Sequence, residues 1–283
     1  WYIFSATCFS IGILGILGLF FLSIISSYTH LVIPHNFVHN ITIILIGLIF
    51  LLYLQKKNFK DLSFLFIIFS LLFIALLIAK TNEDFPYYHL PNSIQFAQQK
   101  LQFGIGNLNH GFKHISSLFM LMSLNYLPFF EHYLFNLTNF AFLVFFIYFL
   151  LKEIYFRINY NINISQILLS LFLILILTKF ARLAEYGSDL AGQILVSIYI
   201  FFIFEIVFND KSTLNTKILY SKLSIIFLVF AIMTKFILAI YSVLFFLVIF
   251  SINERQKLFY NLIGFKYLSL LFLPILFLFF FNF

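Results

Sequence analysis

The chain is a succession of long apolar runs separated by short polar segments, with a single long polar interruption. The apolar runs fall near residues 3–27, 38–54, 62–79, 134–151, 166–181, 190–208, 217–234, 236–252 and 267–283. Within each run the apolar residues are continuous rather than alternating. Barrel strands would alternate, so the pattern points to helices that cross a bilayer. The expected fold is all-α and polytopic, with about nine transmembrane helices in one membrane domain over residues 1–283. A further apolar run, 115–130, is short and flanked by Lys113, His114, Glu131 and His132. It is expected to lie in the membrane interface rather than to span.

Composition strengthens this reading. The chain is 63% hydrophobic and 10% charged, with mean hydropathy +1.06, whereas a soluble domain carries about 25% charged residues. The one cysteine, Cys8, excludes an internal disulfide framework. Residues 1–27 lack a basic leader and form too long an apolar run for a signal peptide. The chain begins at Trp1 and ends inside an apolar run at Phe283, and it reads as a piece of a longer protein.

Charge placement sets an orientation. The segments 55–61, 152–165, 209–222 and 253–266 hold eleven of the seventeen Lys and Arg residues. They alternate with 28–40, 80–133, 179–189 and the point around Lys235. The positive-inside rule makes the first set cytoplasmic. All seven histidines, His30, His35, His39, His89, His110, His114 and His132, then fall outside. Residues 80–133 become a large external loop carrying Glu83-Asp84, the one adjacent acid pair.

Three external segments carry candidate chemistry. In Glu83-Asp84-Phe85-Pro86-Tyr87-Tyr88-His89, carboxylates directly after a span can take a proton from a hydroxyl or hold a divalent cation. They can equally be a solvated acid pair at a helix end. In Ala184-Glu185-Tyr186-Gly187-Ser188-Asp189, Asp189 opens a span and is either a site residue or a helix cap. In Thr234-Lys235, the lysine sits between two apolar runs, either at a tight turn or in one long kinked helix. An isolated lysine there needs a partner or access to water. The glycines in Phe103-Gly104-Ile105-Gly106-Asn107 follow no strand and do not read as a nucleotide loop. His35/His39 and His110/His114 are each four apart, but two histidines without a third ligand do not define a metal site.

The acid after an early span, the interfacial run 115–130, Asp189 at a span start and Lys235 at a later external turn together resemble the GT-C superfamily of polytopic glycosyltransferases. More narrowly, Asp84-Phe-Pro-Tyr-Tyr-His89-Leu-Pro91, Gly104-Ile-Gly106-Asn107-Leu108 and Ser188-Asp189-Leu190 look like a group of bacterial GT-C-like membrane proteins. The resemblance covers roughly residues 60–250. It implies transfer of a sugar from a polyprenyl-phosphate donor to a glycan, lipid or protein acceptor on the external face. It implies Asp84 as base or metal ligand with Glu83 assisting. Lys235, Arg182 and Lys113 would serve the phosphate, and Asp189 and His89 would be substrate-binding residues. No cofactor is required, a divalent cation is compatible with Asp84, and no nucleic-acid partner is expected. The implied location is a bacterial inner membrane with a periplasmic or extracellular active face. The competing expectation is an envelope-polysaccharide polymerase, or a flippase or transporter without such catalysis.

Overall fold

A computed structural model describes residues 10–55, 59–77, 83–100, 102, 104–107, 110–114, 116–157, 164–178, 187–209, 212–252 and 262. Among the described residues there are ten α-helices: α1 Ile11–His30, α2 Phe37–Gln55, α3 Phe59–Leu72, α4 Leu90–Gln98, α5 Ser117–Ser123, α6 Leu137–Arg157, α7 Ile164–Thr178, α8 Asp189–Phe208, α9 Leu214–Thr234 and α10 Phe245–Ser251. There is no β-strand among the described residues, only an isolated bridge between Leu127 and Glu131. An all-helical solution is what apolar surroundings demand, because a helix satisfies its own backbone donors and acceptors.

Among the described residues, four segments are long and apolar enough to cross a membrane: Ile11–His30, His132–Tyr155, Asp189–Phe208 and Leu214–Thr234. The expected runs at 38–54, 166–181 and 236–252 appear as shorter apolar helices. The run 267–283 lies outside the described residues. Two short helices gain length by changing type. Five 3₁₀ residues, Phe73–Leu77, extend α3, and nine, Phe236–Leu244, lead into α10. A 3₁₀ helix rises about 2.0 Å per residue against about 1.5 Å for an α-helix. Each composite therefore reaches about 28–31 Å, close to the hydrocarbon thickness of a bilayer.

Helices α8 and α9 form the most intimate pair, and α6 packs on both α8 and α1. Buried aromatics fill the space between them, including Phe142, Phe146, Phe149, Tyr199, Phe227 and Phe230. Close approach of α1 to α6 depends on glycine. A Cβ on Gly12 would stand 2.4 Å from the Phe145 carbonyl oxygen, and one on Gly15 would meet the Phe145 ring at 2.3 Å. The outward faces of α2, α3, α7 and 236–250 expose Phe, Ile and Leu, the pattern of a surface meant for lipid. A cavity of about 850 Å³ opens between α2, α3 and α6, walled by Leu51, Leu65, Phe69, Phe140 and Val144, with Ser63 and Asn125 as its polar residues.

The run 115–130 departs from expectation. It contains only the seven-residue helix α5, every residue of which is buried. At about 1.5 Å per residue it is too short to span. It does not lie on the surface as an interfacial helix would. It packs instead against α1, α4, α6 and α9. Ser116 caps it, its Oγ accepting from the Leu118 amide at 3.1 Å. The same hydroxyl donates to the Thr234 carbonyl at 2.6 Å, tying α5 to the end of α9. At its other end, Asn40 Nδ2 reaches the carbonyl oxygens of Ser123 at 2.8 Å, Tyr126 at 2.9 Å and His35 at 2.8 Å. The chain then reverses through Leu127–Glu131, where Phe129 has φ 68° and Glu131 φ 44°. Side chains other than glycine avoid that region at a cost of about 1–2 kcal/mol each.

At the opposite ends of the spans, Arg157 donates to Glu205 at 2.7 Å and to Glu153 at 3.2 Å, binding α6 to α8. Lys152 pairs with Asp61 at 2.9 Å, binding α6 to α3.

Gly12→Val is expected to separate α1 from α6 and destabilise the fold by about 1–3 kcal/mol. Gly47→Ala, on a helix where nothing lies within 4 Å of the added carbon, is expected to be neutral. Paired thermal melts in detergent check both. Equal melting of the two variants would contradict the packing described.

Candidate functional site

The segment after α3 resumes at Glu83, passes through a five-residue π turn, Phe85–His89, and enters α4. Pro86 and Pro91 sit near the starts of these two elements, where a missing N–H costs nothing. The turn puts Asp84 and Tyr88 on one face, with the Asp84 carboxylate close enough to the Tyr88 hydroxyl to act on it. Tyr88 also packs against His89 at 4.3 Å and His114 at 5.1 Å between ring centroids. Burial, with Asp84 and Asp189 nearby, pushes the Tyr88 hydroxyl up to about 12. It stays a hydrogen-bond donor at any ordinary pH.

His89 is 4% exposed, wedged between Tyr88 and Phe119. Burial lowers its pKa to about 4, with Asp84 and Asp189 opposing and Lys235 and His114 reinforcing the fall. The imidazole is therefore neutral near pH 7, and its buried Nδ1 has no hydrogen-bond partner among the described residues. Gly187 lies beside the ring: a Cβ there would stand 3.4 Å from His89 Cε1, an ordinary contact distance. Asn139, near the start of α6, donates to the Gly187 carbonyl at 3.1 Å and fixes that stretch.

Asp189 is the first residue of α8, and Ser188 before it makes no side-chain cap bond. The Asp189 carboxylate accepts from Lys235 Nζ, with the two side chains 45% and 44% exposed. The lysine reaches it because α9 breaks there. Lys235 is extended at φ −154°, between the end of α9 and the start of the 3₁₀ segment. Just beyond it, Gly192 on α8 lies close to Leu238: a Cβ there would stand 2.7 Å from Leu238 Cδ1. The sequence leaves a tight turn or one long kinked helix as the expectations; the structure has a one-residue extended break at Lys235. For Asp189, an ion partner adds to any favourable effect of the α8 amino terminus.

Three stretches distant in sequence thus meet: Asp84 with Tyr88 and His89, Gly187 with Asp189, and Lys235. The other expected residues stand differently. Glu83 is exposed at the start of the turn. Lys113 is exposed on the 3₁₀ turn His110–Lys113, and the neighbouring charges that act on His89 include His114 instead. Arg182 lies outside the described residues. Among the described residues, no three His, Cys, Asp or Glu side chains gather so as to hold a metal ion.

His35 and His39 have another role. They stack at 4.9 Å and 12°. His35 bonds through Nδ1 to Ser123 Oγ at 2.6 Å and through Nε2 to the Ser26 carbonyl at 3.0 Å. His39 bonds to Asn40 and Thr29, both at 3.1 Å. This pair joins the α1–α2 connection to the end of α5. Tyr88, Asn139 and Ser116 were not singled out from sequence. For Tyr88 the signal was present: it follows Asp84 by four residues, one helical turn.

Residues 2–282 match the family described as a domain of unknown function, DUF8201, and the chain belongs to that family. No curated protein matches the chain, nor does any solved structure.

The His89 shift has a stability consequence. Between pH 6.5 and about 4 the unfolded chain binds a proton that the folded ring refuses. Stability from this group is full above about pH 6.5 and declines as pH falls toward about 4. His35, lowered to about 3 by burial and its neighbours His30 and His39, adds a similar slope. Melting temperature is expected to fall across this window, and His89→Gln to reduce the slope without removing it. An unchanged slope would mean that His89 is not held neutral.

Proposed function

We propose that the chain is a GT-C-like membrane glycosyltransferase moving a sugar from a polyprenyl-phosphate donor to an acceptor hydroxyl. The observation that carries this reading is the meeting of Asp84, Tyr88, His89, Asp189 and Lys235 from three separate segments. A carboxylate, an ammonium and a neutral imidazole in one place suit displacement at an anomeric carbon. The Asp84 carboxylate takes the proton of the acceptor hydroxyl as its oxygen attacks that carbon. The bond from the anomeric carbon to the phosphate oxygen breaks, and lipid phosphate departs with the electron pair. Lys235, released from Asp189, neutralises the phosphate, with Lys113 and Arg182 as further cations for it. Tyr88, beside Asp84, would donate a hydrogen bond to the substrate or to that carboxylate. His89 offers a sugar hydroxyl a neutral donor or acceptor, and Asp189 a second acceptor. No step needs a metal ion, though Asp84 is free to ligate one delivered with the donor.

The apolar cavity between α2, α3 and α6 is of a size and character to take part of a prenyl chain. The proposed setting is a bacterial inner membrane with about nine spans and residues 80–133 outside, supported by the eleven-to-six division of basic residues between the two sides. A polysaccharide polymerase would use the same donor chemistry and differ in giving long products. A flippase or transporter would give none.

Purified protein in lipid nanodiscs is expected to transfer sugar from a polyprenyl-phosphate donor. Asp84→Asn should abolish transfer at unchanged melting temperature, and Lys235→Met should raise the donor KM by more than it lowers kcat. Normal turnover by Asp84→Asn would remove Asp84 as base. In a Cys8→Ser background, single cysteines at Lys100, Glu131 and Gly187 should react with an impermeant thiol reagent from outside. Reaction of the Glu131 position from the cytoplasm alone would overturn the orientation.

A further inference from the structure

The chain reversal between α5 and α6 is strained and displays aromatic side chains that the protein itself does not cover. Phe129 is 99% exposed, Tyr133 72% and Phe130 55%. Phe129 holds φ 68° and Glu131 φ 44°, conformations usually left to glycine or asparagine. The turn is nevertheless well closed, with the Glu131 amide donating to the Leu127 carbonyl at 2.8 Å and that of Tyr133 to Phe130 at 3.0 Å. Strain in a phenylalanine normally persists where burial of its ring compensates. Here the ring at the most exposed position in the turn has no such compensation from within the chain.

We infer that Phe129, Phe130 and Tyr133 form a wedge that inserts into the outer boundary of the bilayer. Continuity with the lipid-facing surface selects lipid as the occupant. Tyr126, just before the reversal, stacks on Phe37 at 4.8 Å and 9°. Phe37 begins α2, and the next residue, Val38, is 75% exposed at the head of α2's exposed apolar surface. The α6 helix begins four residues after Tyr133. The wedge therefore stands where two apolar helices start at the same end of the molecule. Its chemistry suits that depth, with two phenyl rings for the acyl boundary and a tyrosine whose hydroxyl can meet the headgroups. Inserted there, it would fix the height of the α5–α6 connection relative to the bilayer, and with it α5, which is bonded to the end of α9 beside Lys235. The inference needs the chain to sit in a membrane but does not depend on sugar transfer.

Trp1 is the only tryptophan, so Trp1→Phe supplies a background for a single reporter. The full chain carrying Phe129→Trp goes into nanodiscs of phosphatidylcholine with or without bromine on the upper acyl carbons. Bromolipid is expected to cut indole emission roughly twofold or more, with aqueous acrylamide having little effect, as for an interfacial side chain. Phe130→Trp gives the same readout if the first variant folds poorly. Quenching by acrylamide alone would place the turn in water and overturn the inference. Shielding from both quenchers would place it against protein and overturn it equally.

Discussion

A short helix buried in apolar surroundings must have its ends hydrogen-bonded, and much of the proposed site depends on how this chain meets that demand. Unpaired backbone groups in the interior cost several kcal/mol each, on the order seen in hydrocarbon. Helix α5 meets the requirement from two distant places. Ser116 caps its start and binds the last carbonyl of α9, while Asn40 gathers the carbonyls beyond its end. One seven-residue element thus fixes the position of α9's terminus relative to the α1–α2 connection. Phe119, in the middle of α5, backs the His89 ring. Lys235 and His89 therefore owe their placement to the same buried segment.

The ion pair between Lys235 and Asp189 gives the site a second property. In this state the two charges cancel, yet both side chains are nearly half exposed. Exposed pairs of this kind are worth about 0–1 kcal/mol. Such a pair holds the lysine in position without holding it tightly. The contrast with Arg157 is instructive. That guanidinium meets Glu205, whose side chain is 2% exposed, and parting buried partners is costly. The buried Arg157–Glu205 pair thus stands at one end of the spans and the exposed Lys235–Asp189 pair at the other.

Much of the helical pattern was legible because continuous apolar runs admit few other structures. The meeting of Asp84, Asp189 and Lys235 was legible in outline, since each charge sits at the end of an apolar run. The role of 115–130 was not. An apolar stretch of that length is the same in sequence whether it lies against lipid or against other helices, and the deciding features are the single hydroxyl of Ser116 and the amide of Asn40. Tyr88 was hidden among sixteen tyrosines, in a chain where aromatics are too common to stand out. The 3₁₀ character of Phe236–Leu244 was equally invisible, because i and i+3 spacing cannot be read where nearly every position is apolar.

That 3₁₀ segment has a mechanical implication. Its length depends on which carbonyl each amide chooses. Moving nine residues from the i+3 to the i+4 register would shorten the segment by about 4–5 Å with no change in the number of residues. Lys235 stands at one end of it and α10 at the other. A change of hydrogen-bond register in this segment would therefore move the ammonium along the segment's axis without adding or removing a residue.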